Sequence, residues 1–130
     1  MADPNKLSYF YNQTRSTMIA SHARIANSFI TRLVGLLKTP SLAAGEGLYI
    51  APCTQIHMFG MKYAIDVVFM DKQGQVVGLC QKIEPGQISP LFSRAFSCIE
   101  IPPGTISATR TETGDLVTTG PAAEAPKISS

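Results

Sequence analysis

The chain has 130 residues, of which 45% are hydrophobic and 15% charged, and its formal net charge is +2. This length and composition fit one globular domain and exclude an intrinsically disordered chain. The weak charge, without a cluster of Lys and Arg among aromatic residues, argues against nucleic-acid binding.

No stretch of the sequence approaches about 18 consecutive apolar residues, so no membrane-spanning segment is expected. The three cysteines, Cys53, Cys80 and Cys98, form no C-x-x-C pair, and their odd number does not suggest a disulfide framework. We expect them to stay reduced, which favours a cytoplasmic location. The N-terminal residues lack the basic start and apolar core of a signal peptide, in agreement with that expectation.

Two strands are predicted near the start of the chain. Residues 1–6 are expected to form a loose arm, and a strand at Leu7–Tyr11 and a longer one at Thr17–Ala26 follow. In the longer strand, His22 falls on the polar, solvent-facing side. The more apolar face of that strand consists of Ile19, Ser21, Ala23 and Ile25.

A helix is predicted at Phe29–Lys38, because Ile30, Leu33, Val34 and Leu37 recur at helical spacing. Either residue preceding Phe29, Asn27 or Ser28, can cap its start, and Pro40 ends it. We expect this helix to pack on the sheet.

A β-hairpin at residues 64–83 is the clearest local pattern. Ala64–Met70 is a run of β-branched and aromatic residues, and Gln75–Ile83 is a second apolar run. The short polar loop between them ends in Gly74, which can adopt the positive φ angle that such a loop requires. A short strand at Gly47–Ala51 precedes this region.

After the hairpin, the pattern predicts a strand at Ala95–Ile101, one helical turn within Thr105–Gly114 and a final strand at Leu116–Thr119. Residues 1–16 are expected to form the arm and first strand, 17–119 a single β-rich domain and 120–130 a disordered tail. Because helices do not alternate with strands, we expect a mainly β fold. The predicted architecture is a small antiparallel β-sandwich or partly closed barrel with one short helix packed on it.

A candidate site lies around Cys53, His57 and Met61. At this spacing the three side chains share one face of either a strand or a helix, which gathers sulfur and nitrogen donors. Core packing of the Cys and Met side chains is the simpler interpretation. No metal is expected, although these three residues are the candidates for a Cu or Zn site.

Two carboxylates, Asp66 and Glu100, stand inside apolar strand patterns and therefore need a hydrogen-bonding or charged partner. Arg32, on the predicted helix, is a candidate partner. A fold-stabilising ion pair is the simpler interpretation, and catalysis is the alternative. Two carboxylates in one cleft would also suit a glycan hydrolase.

Several motifs together resemble the bacterial and archaeal family named domain of unknown function 192. They are Arg32-x-x-Gly35-Leu36-Leu37, Gly47-Leu48, Cys53-x-x-Ile56-His57-x-Phe59-x-Met61, Ile65-Asp66-Val67-x-Phe69-x-Asp71, Pro85-Gly86, Glu100-Ile101-x-x-Gly104 and Gly114-Asp115. The resemblance covers roughly residues 17–118. It implies a compact β-rich domain and no established reaction, substrate or cofactor.

The sequence therefore favours a non-enzymatic binding or accessory module with a groove near Cys53, His57 and Met61. Its ligand would be a small molecule or a peptide, and the predicted ligand-binding residues are His57, Phe59, Met61 and Arg32. The alternative is a thiol-dependent enzyme or a Cu or Zn site built on Cys53 and His57. The catalytic candidates are Cys53, His57, Asp66 and Glu100. The sequence does not identify a cofactor or an oligomeric state.

Overall fold

The computed structural model describes residues 7–26 and 41–127. Within these ranges the chain forms seven β-strands and one short α-helix. They are β1 (Ser8–Asn12), β2 (Thr17–Ala26), β3 (Glu46–Ile50), β4 (Ile65–Met70), β5 (Val76–Ile83), β6 (Ser97–Ile101), α1 (Thr105–Thr109) and β7 (Val117–Pro121). A turn of 3-10 helix at Ala122–Glu124 follows β7.

The seven strands form one curled sheet in the order β5-β4-β6-β3-β2-β1-β7. Neighbouring strands are antiparallel except β2 and β3, which are parallel. The two edge strands, β5 and β7, meet at one end, where Gln75 and Leu116 form an isolated bridge. There the N–H of Val117 donates to the carbonyl of Gly74 at 2.9 Å. The sheet is therefore a half-barrel, which confirms the predicted mainly β fold with one short helix.

Side chains on the two faces of the sheet form separate cores. The inner core brings β1 and β7 against β4 and β5, which lie far from them in the sheet order, so it fills the inside of the curl. It consists of Phe10, Ile19, Ala20, Ala23, Val68, Met70, Val76, Ile99, Ile101, Ile106 and Val117. The outer core lies on the opposite face and includes loop residues as well as strands. It consists of Ala26, Leu42, Leu48, Ile50, Ile56, Met58, Met61, Ile65, Val67, Phe69, Ile83, Ala95 and Cys98.

The predicted hairpin is confirmed. Strands β4 and β5 pair antiparallel around a turn in which Gly74 has a φ angle of 89°. The range of β2 is also confirmed, and His22 is exposed. The predicted apolar face of β2 is buried at Ile19 and Ala23 but not at Ile25, whose side chain is 46% exposed. Ile25 pairs with Tyr49 in regular register and lies on the same face as Ala23, but it lines an open groove near the end of β2, where the core no longer covers it.

The sheet extends past both predicted domain boundaries. Strand β1 falls within the segment 1–16 that is predicted as arm and first strand. It lies between β2 and β7 and is therefore part of the sheet. Strand β7 continues through Pro121, and the N–H of Ala122 donates to the carbonyl of Leu7 at 2.8 Å. Residues 120–122 of the predicted tail are therefore ordered by pairing with β1 and with Leu7, which immediately precedes it.

The predicted helical turn after the β6 strand is confirmed at Thr105–Thr109. The predicted helix at Phe29–Lys38 lies outside the described residues. In the described ranges, none of the helices has the length and apolar character needed to cross a bilayer.

Candidate functional site

Two loop segments pair over the outer core and form an irregular ribbon. In this ribbon, the N–H of Ser89 donates to Ile56 O and the N–H of Phe92 donates to Thr54 O, both at 2.9 Å. His57 and Ile88 form an antiparallel bridge between them. The backbone groups of the two loops therefore satisfy one another, as burial next to a core requires.

Side chains of the first segment of the ribbon alternate between the core and solvent. Ile56 and Met58 are buried in the outer core, so the neighbouring His57 and Phe59 point outward. Phe59 is 60% exposed and stacks on the His57 ring with centroids 5.9 Å apart. From the second segment, Ile88 is 50% and Leu91 64% exposed. We call these four outward-facing residues, His57, Phe59, Ile88 and Leu91, the ribbon patch.

A cavity of about 340 Å³ opens beside the ribbon patch. Its lining consists of Ile50, Pro52, Cys53, Thr54, Gln55, Ile56 and His57. The side-chain amide of Gln55 donates to the Ser89 carbonyl at 3.0 Å and so connects the cavity wall to the ribbon. Cys53 and His57 thus line one cavity, as their spacing predicts, whereas Met61 is buried in the outer core.

The closest described side-chain partner of Cys53 comes from the β6 strand. The Cys53 Sγ atom lies 3.4 Å from the Sγ atom of Cys98 and 3.4 Å from the carbonyl oxygen of Gln55. The backbone brings the two cysteines together, because the N–H of Cys53 donates to Phe96 O at 2.9 Å. Sequence reasoning missed this pair, since the residues are 45 positions apart and no spacing motif connects them.

Metal ligation has little support in the part of the chain that the structure describes. No group of three His, Cys, Asp or Glu side chains there is arranged to hold an ion. Of the three predicted sulfur and nitrogen donors, Met61 packs among apolar side chains instead of lining the cavity.

Asp66 lies on the inner face of the sheet, where its carboxylate binds backbone groups. It accepts hydrogen bonds from the N–H of Lys82 at 2.8 Å, of Gly104 at 3.1 Å and of Ile106 at 2.9 Å. These contacts connect β4 to β5 and to the start of α1. The hydrogen bonds described for this buried carboxylate therefore stabilise the fold.

Glu100 is fully buried and occupies the opposite face of the sheet from Asp66. The β4 and β6 strands pair Asp66 with Ile101 and Val67 with Glu100, so Glu100 faces outward with Cys98 while Asp66 faces inward. The two carboxylates therefore do not share a cleft. Arg32, the predicted partner of these groups, lies outside the described residues.

A second cavity, of about 360 Å³, opens at the mouth of the half-barrel. Phe10 and Tyr49 stack in its wall with ring centroids 5.2 Å apart. At the edge of this cavity, the Lys72 amine lies 5.4 Å from the centroid of the Phe96 ring. No local pattern indicates this cavity, because its aromatic residues come from three distant segments.

A buried polar network joins the β1–β2 turn to the loop before β7. The Asp115 carboxylate accepts hydrogen bonds from Asn12 Nδ2 and Arg15 Nε, both at 3.0 Å. Burial by itself raises the pKa of Asp115, but the hydrogen bonds from Arg15, Asn12 and the Glu112 backbone outweigh it and hold that pKa below its usual value. This network connects elements of the fold and contributes no residue to either cavity.

The fold and these surfaces define a small half-barrel protein of the mainly β class with an apolar surface beside a cysteine-lined cavity. The chain belongs to the DUF192 family, described as "Uncharacterized ACR", whose model matches residues 11–119. This finding confirms the resemblance that the sequence motifs indicate.

Two relatives and two solved structures are similar to this chain. A UPF0127 protein of Thermococcus sibiricus is 32% identical over 82% of this chain and 71% of its own length. Another UPF0127 protein, from Pyrococcus horikoshii, is 33% identical over 82% of this chain and 94% of its own length. A protein of unknown function from Novosphingobium aromaticivorans has a similar crystal structure, with a TM-score of 0.73, 16% identity and 91% of each chain covered. A putative transcription regulator from Sinorhizobium meliloti has a TM-score of 0.68 and 16% identity, covering 86% of this chain and 91% of its own. At this identity the two structures establish the fold alone.

Proposed function

We propose that this protein is a non-enzymatic binding module that holds an extended peptide segment on the ribbon patch. One apolar side chain of the peptide would enter the cavity beside Cys53. The observation that carries the proposal is the exposure of Phe59, Ile88 and Leu91, each at least 50%, on a ribbon that packs on the outer core. Adjacent exposed apolar side chains of this size are typical of interaction surfaces.

An extended ligand fits better than a compact one. The cavity of about 340 Å³ is at the small end of ligand pockets. It borders the ribbon patch through His57, which lines the cavity and also stacks on Phe59. A peptide could therefore fill the cavity with one residue and cover the patch with its neighbours.

The exposed area indicates a modest affinity. Full burial of one large apolar side chain contributes about 1.5–3 kcal/mol, and these side chains are already partly buried. Association itself costs several kcal/mol in lost translational and rotational freedom. We therefore expect dissociation constants in the micromolar range and not in the nanomolar range.

A thiol-dependent enzyme is the alternative function, because Cys53 and His57 line the same cavity. Two observations favour recognition over catalysis. His57 stacks on the exposed Phe59 ring, and Asp66, a predicted catalytic partner, binds backbone groups on the opposite face of the sheet.

We also keep the predicted cytoplasmic location as part of the proposal, and cell fractionation tests it.

Selection of a phage-displayed random peptide library on the folded protein tests the proposal. The selected peptides would then be titrated by fluorescence polarisation against the wild type, Phe59→Ser and Leu91→Ser. We expect each substitution to weaken binding at least about tenfold, the size of a loss of about 1.4 kcal/mol. The matched control is Leu116→Ser, at a leucine that is 38% exposed and lies on the β5–β7 edge.

Unchanged affinity in both ribbon variants would contradict the proposal, as would an equal loss in the Leu116→Ser control. If binding of the selected peptides depended on Tyr49 instead, the binding site would lie at the mouth of the half-barrel, and the proposal would be overturned.

A further inference from the structure

We propose that Cys53 and Cys98 form a redox-active dithiol that low-molecular-weight disulfides oxidise to an intramolecular disulfide. The two Sγ atoms lie 3.4 Å apart. No motif in the sequence indicates this site. It concerns thiol chemistry alone and does not rest on the proposed binding of peptides.

The backbone positions the two cysteines for bond formation. Cys98 is the second residue of β6 and pairs with Ile50, the last residue of β3. Three residues after Ile50, Cys53 donates its N–H to Phe96 O. A disulfide requires the sulfur atoms to approach to about 2.05 Å. Cys53 lies outside the regular strands, so its side chain and loop can supply this small movement while β6 stays fixed.

Exposure determines which thiol reacts first. Cys53 is partly buried and lines the cavity, so a reagent in solution can reach its sulfur atom. Cys98 is fully buried in the outer core and meets an oxidant only through Cys53. This division between an accessible and a buried sulfur is the arrangement expected of an attacking and a resolving cysteine.

The reaction proceeds in two exchange steps. The Cys53 thiolate attacks one sulfur of a disulfide RSSR, the S–S bond breaks, and RSH leaves after taking up a proton. Cys98 then loses its proton and its sulfur attacks the Cys53 sulfur, which breaks the mixed disulfide and releases a second RSH. Two protein thiols are oxidised by two electrons, and one RSSR is reduced to two RSH.

Cys80 provides an internal control. It lies on β5, which strand β4 separates from β6, and it pairs with Val67 instead of approaching Cys98. Burial raises the pKa of the Cys80 thiol, so less of it is in the reactive thiolate form at neutral pH. We therefore expect Cys80 to remain a thiol under mild oxidation.

The test is treatment of the folded, full-length protein with oxidised glutathione at neutral pH, followed by acid quenching and mass spectrometry. We expect the wild type to lose two hydrogen atoms and to yield a proteolytic fragment in which Cys53 is joined to Cys98. Dithiothreitol should reverse the change. The Cys80→Ser variant should behave like the wild type.

Two further variants separate the steps. Cys98→Ser should stop at a stable glutathione adduct on Cys53, and Cys53→Ser should form neither adduct nor disulfide. In the wild type, a persistent glutathione adduct, a disulfide that includes Cys80 or the absence of any reaction would overturn the proposal. Because these three outcomes are read on the wild type, the test holds even if a serine variant fails to fold.

Discussion

The carboxylate of Asp66 accepts a 2.9 Å hydrogen bond from the backbone N–H of Ile106, which fastens the only α-helix of the described residues to the centre of the sheet. The same carboxylate also accepts from Gly104 and Lys82, so it joins three segments: β4, β5 and the start of α1. It supplies the hydrogen-bond acceptors that the first N–H groups of a helix otherwise lack.

Asp66→Asn should therefore destabilise the protein by about 2–4 kcal/mol, measured by urea unfolding at neutral pH. Both carboxylate oxygens accept from N–H donors, and an amide would turn its NH2 group towards one of them. Asp71→Asn is the control, because Asp71 also accepts two backbone hydrogen bonds but lies in an exposed turn. Equal effects of the two substitutions would contradict this account.

The Asp115 network predicts a dependence of stability on pH. Its carboxylate has a lowered pKa in the folded protein, whereas the unfolded value is about 3.9. The stabilisation is thus complete above the unfolded pKa and is lost as the pH falls through the folded pKa. Asp115→Asn should lower the urea midpoint strongly at pH 7, and the difference from wild type should shrink towards pH 3.

Glu112→Gln is the matched control for this network, because Glu112 contacts Arg15 from an exposed position. Surface ion pairs contribute little, so its effect at pH 7 should be small. A difference between wild type and Asp115→Asn that stays constant from pH 7 to pH 3 would rule out the carboxylate as its cause.

Gly78 leaves room for an aromatic ring. A Cβ atom added there would overlap the Phe92 ring, which packs on Phe69 with centroids 4.5 Å apart. Gly78→Ala should therefore cost about 1–3 kcal/mol in the free energy of unfolding. In a Phe92→Ala background the same substitution should cost at least about 1 kcal/mol less. Strictly additive effects would show that the ring is not the obstacle.

The alternation of the ribbon predicts opposite effects at neighbouring positions. Met58→Ala should cost about 2–5 kcal/mol, because Met58 is fully buried in the outer core. Phe59→Ser should change the free energy of unfolding by no more than about 0.5 kcal/mol. Thermal unfolding of both variants checks this, and a large loss of stability in Phe59→Ser would mean that its ring supports the fold.

Local patterns were sufficient for the β4–β5 hairpin, because the apolar runs and Gly74 act within twenty residues of one another. They failed at Ile25, because alternation indicates which face a side chain occupies but not whether that part of the face is covered, and Ile25 lies with Tyr49 beside an open groove. The Cys53 and His57 cavity could be predicted from spacing, whereas the Cys53–Cys98 contact depends on tertiary pairing. The buried position of Asp66 was predicted, but its described partners are backbone N–H groups, which every residue except proline carries and which no sequence pattern distinguishes.

The pairing of β1 with β7 has a consequence for synthesis of the chain. The hydroxyl of Thr119 donates to the carbonyl of Tyr9 across a separation of 110 residues. During translation, β1 is made long before β7, its second neighbour, so one edge of β1 stays unpaired until β7 has been made. Contacts this distant in sequence are typical of slow folding. The nascent polypeptide therefore has an interval in which this exposed strand edge is open to misassociation, and chaperones that shield such edges would matter most then.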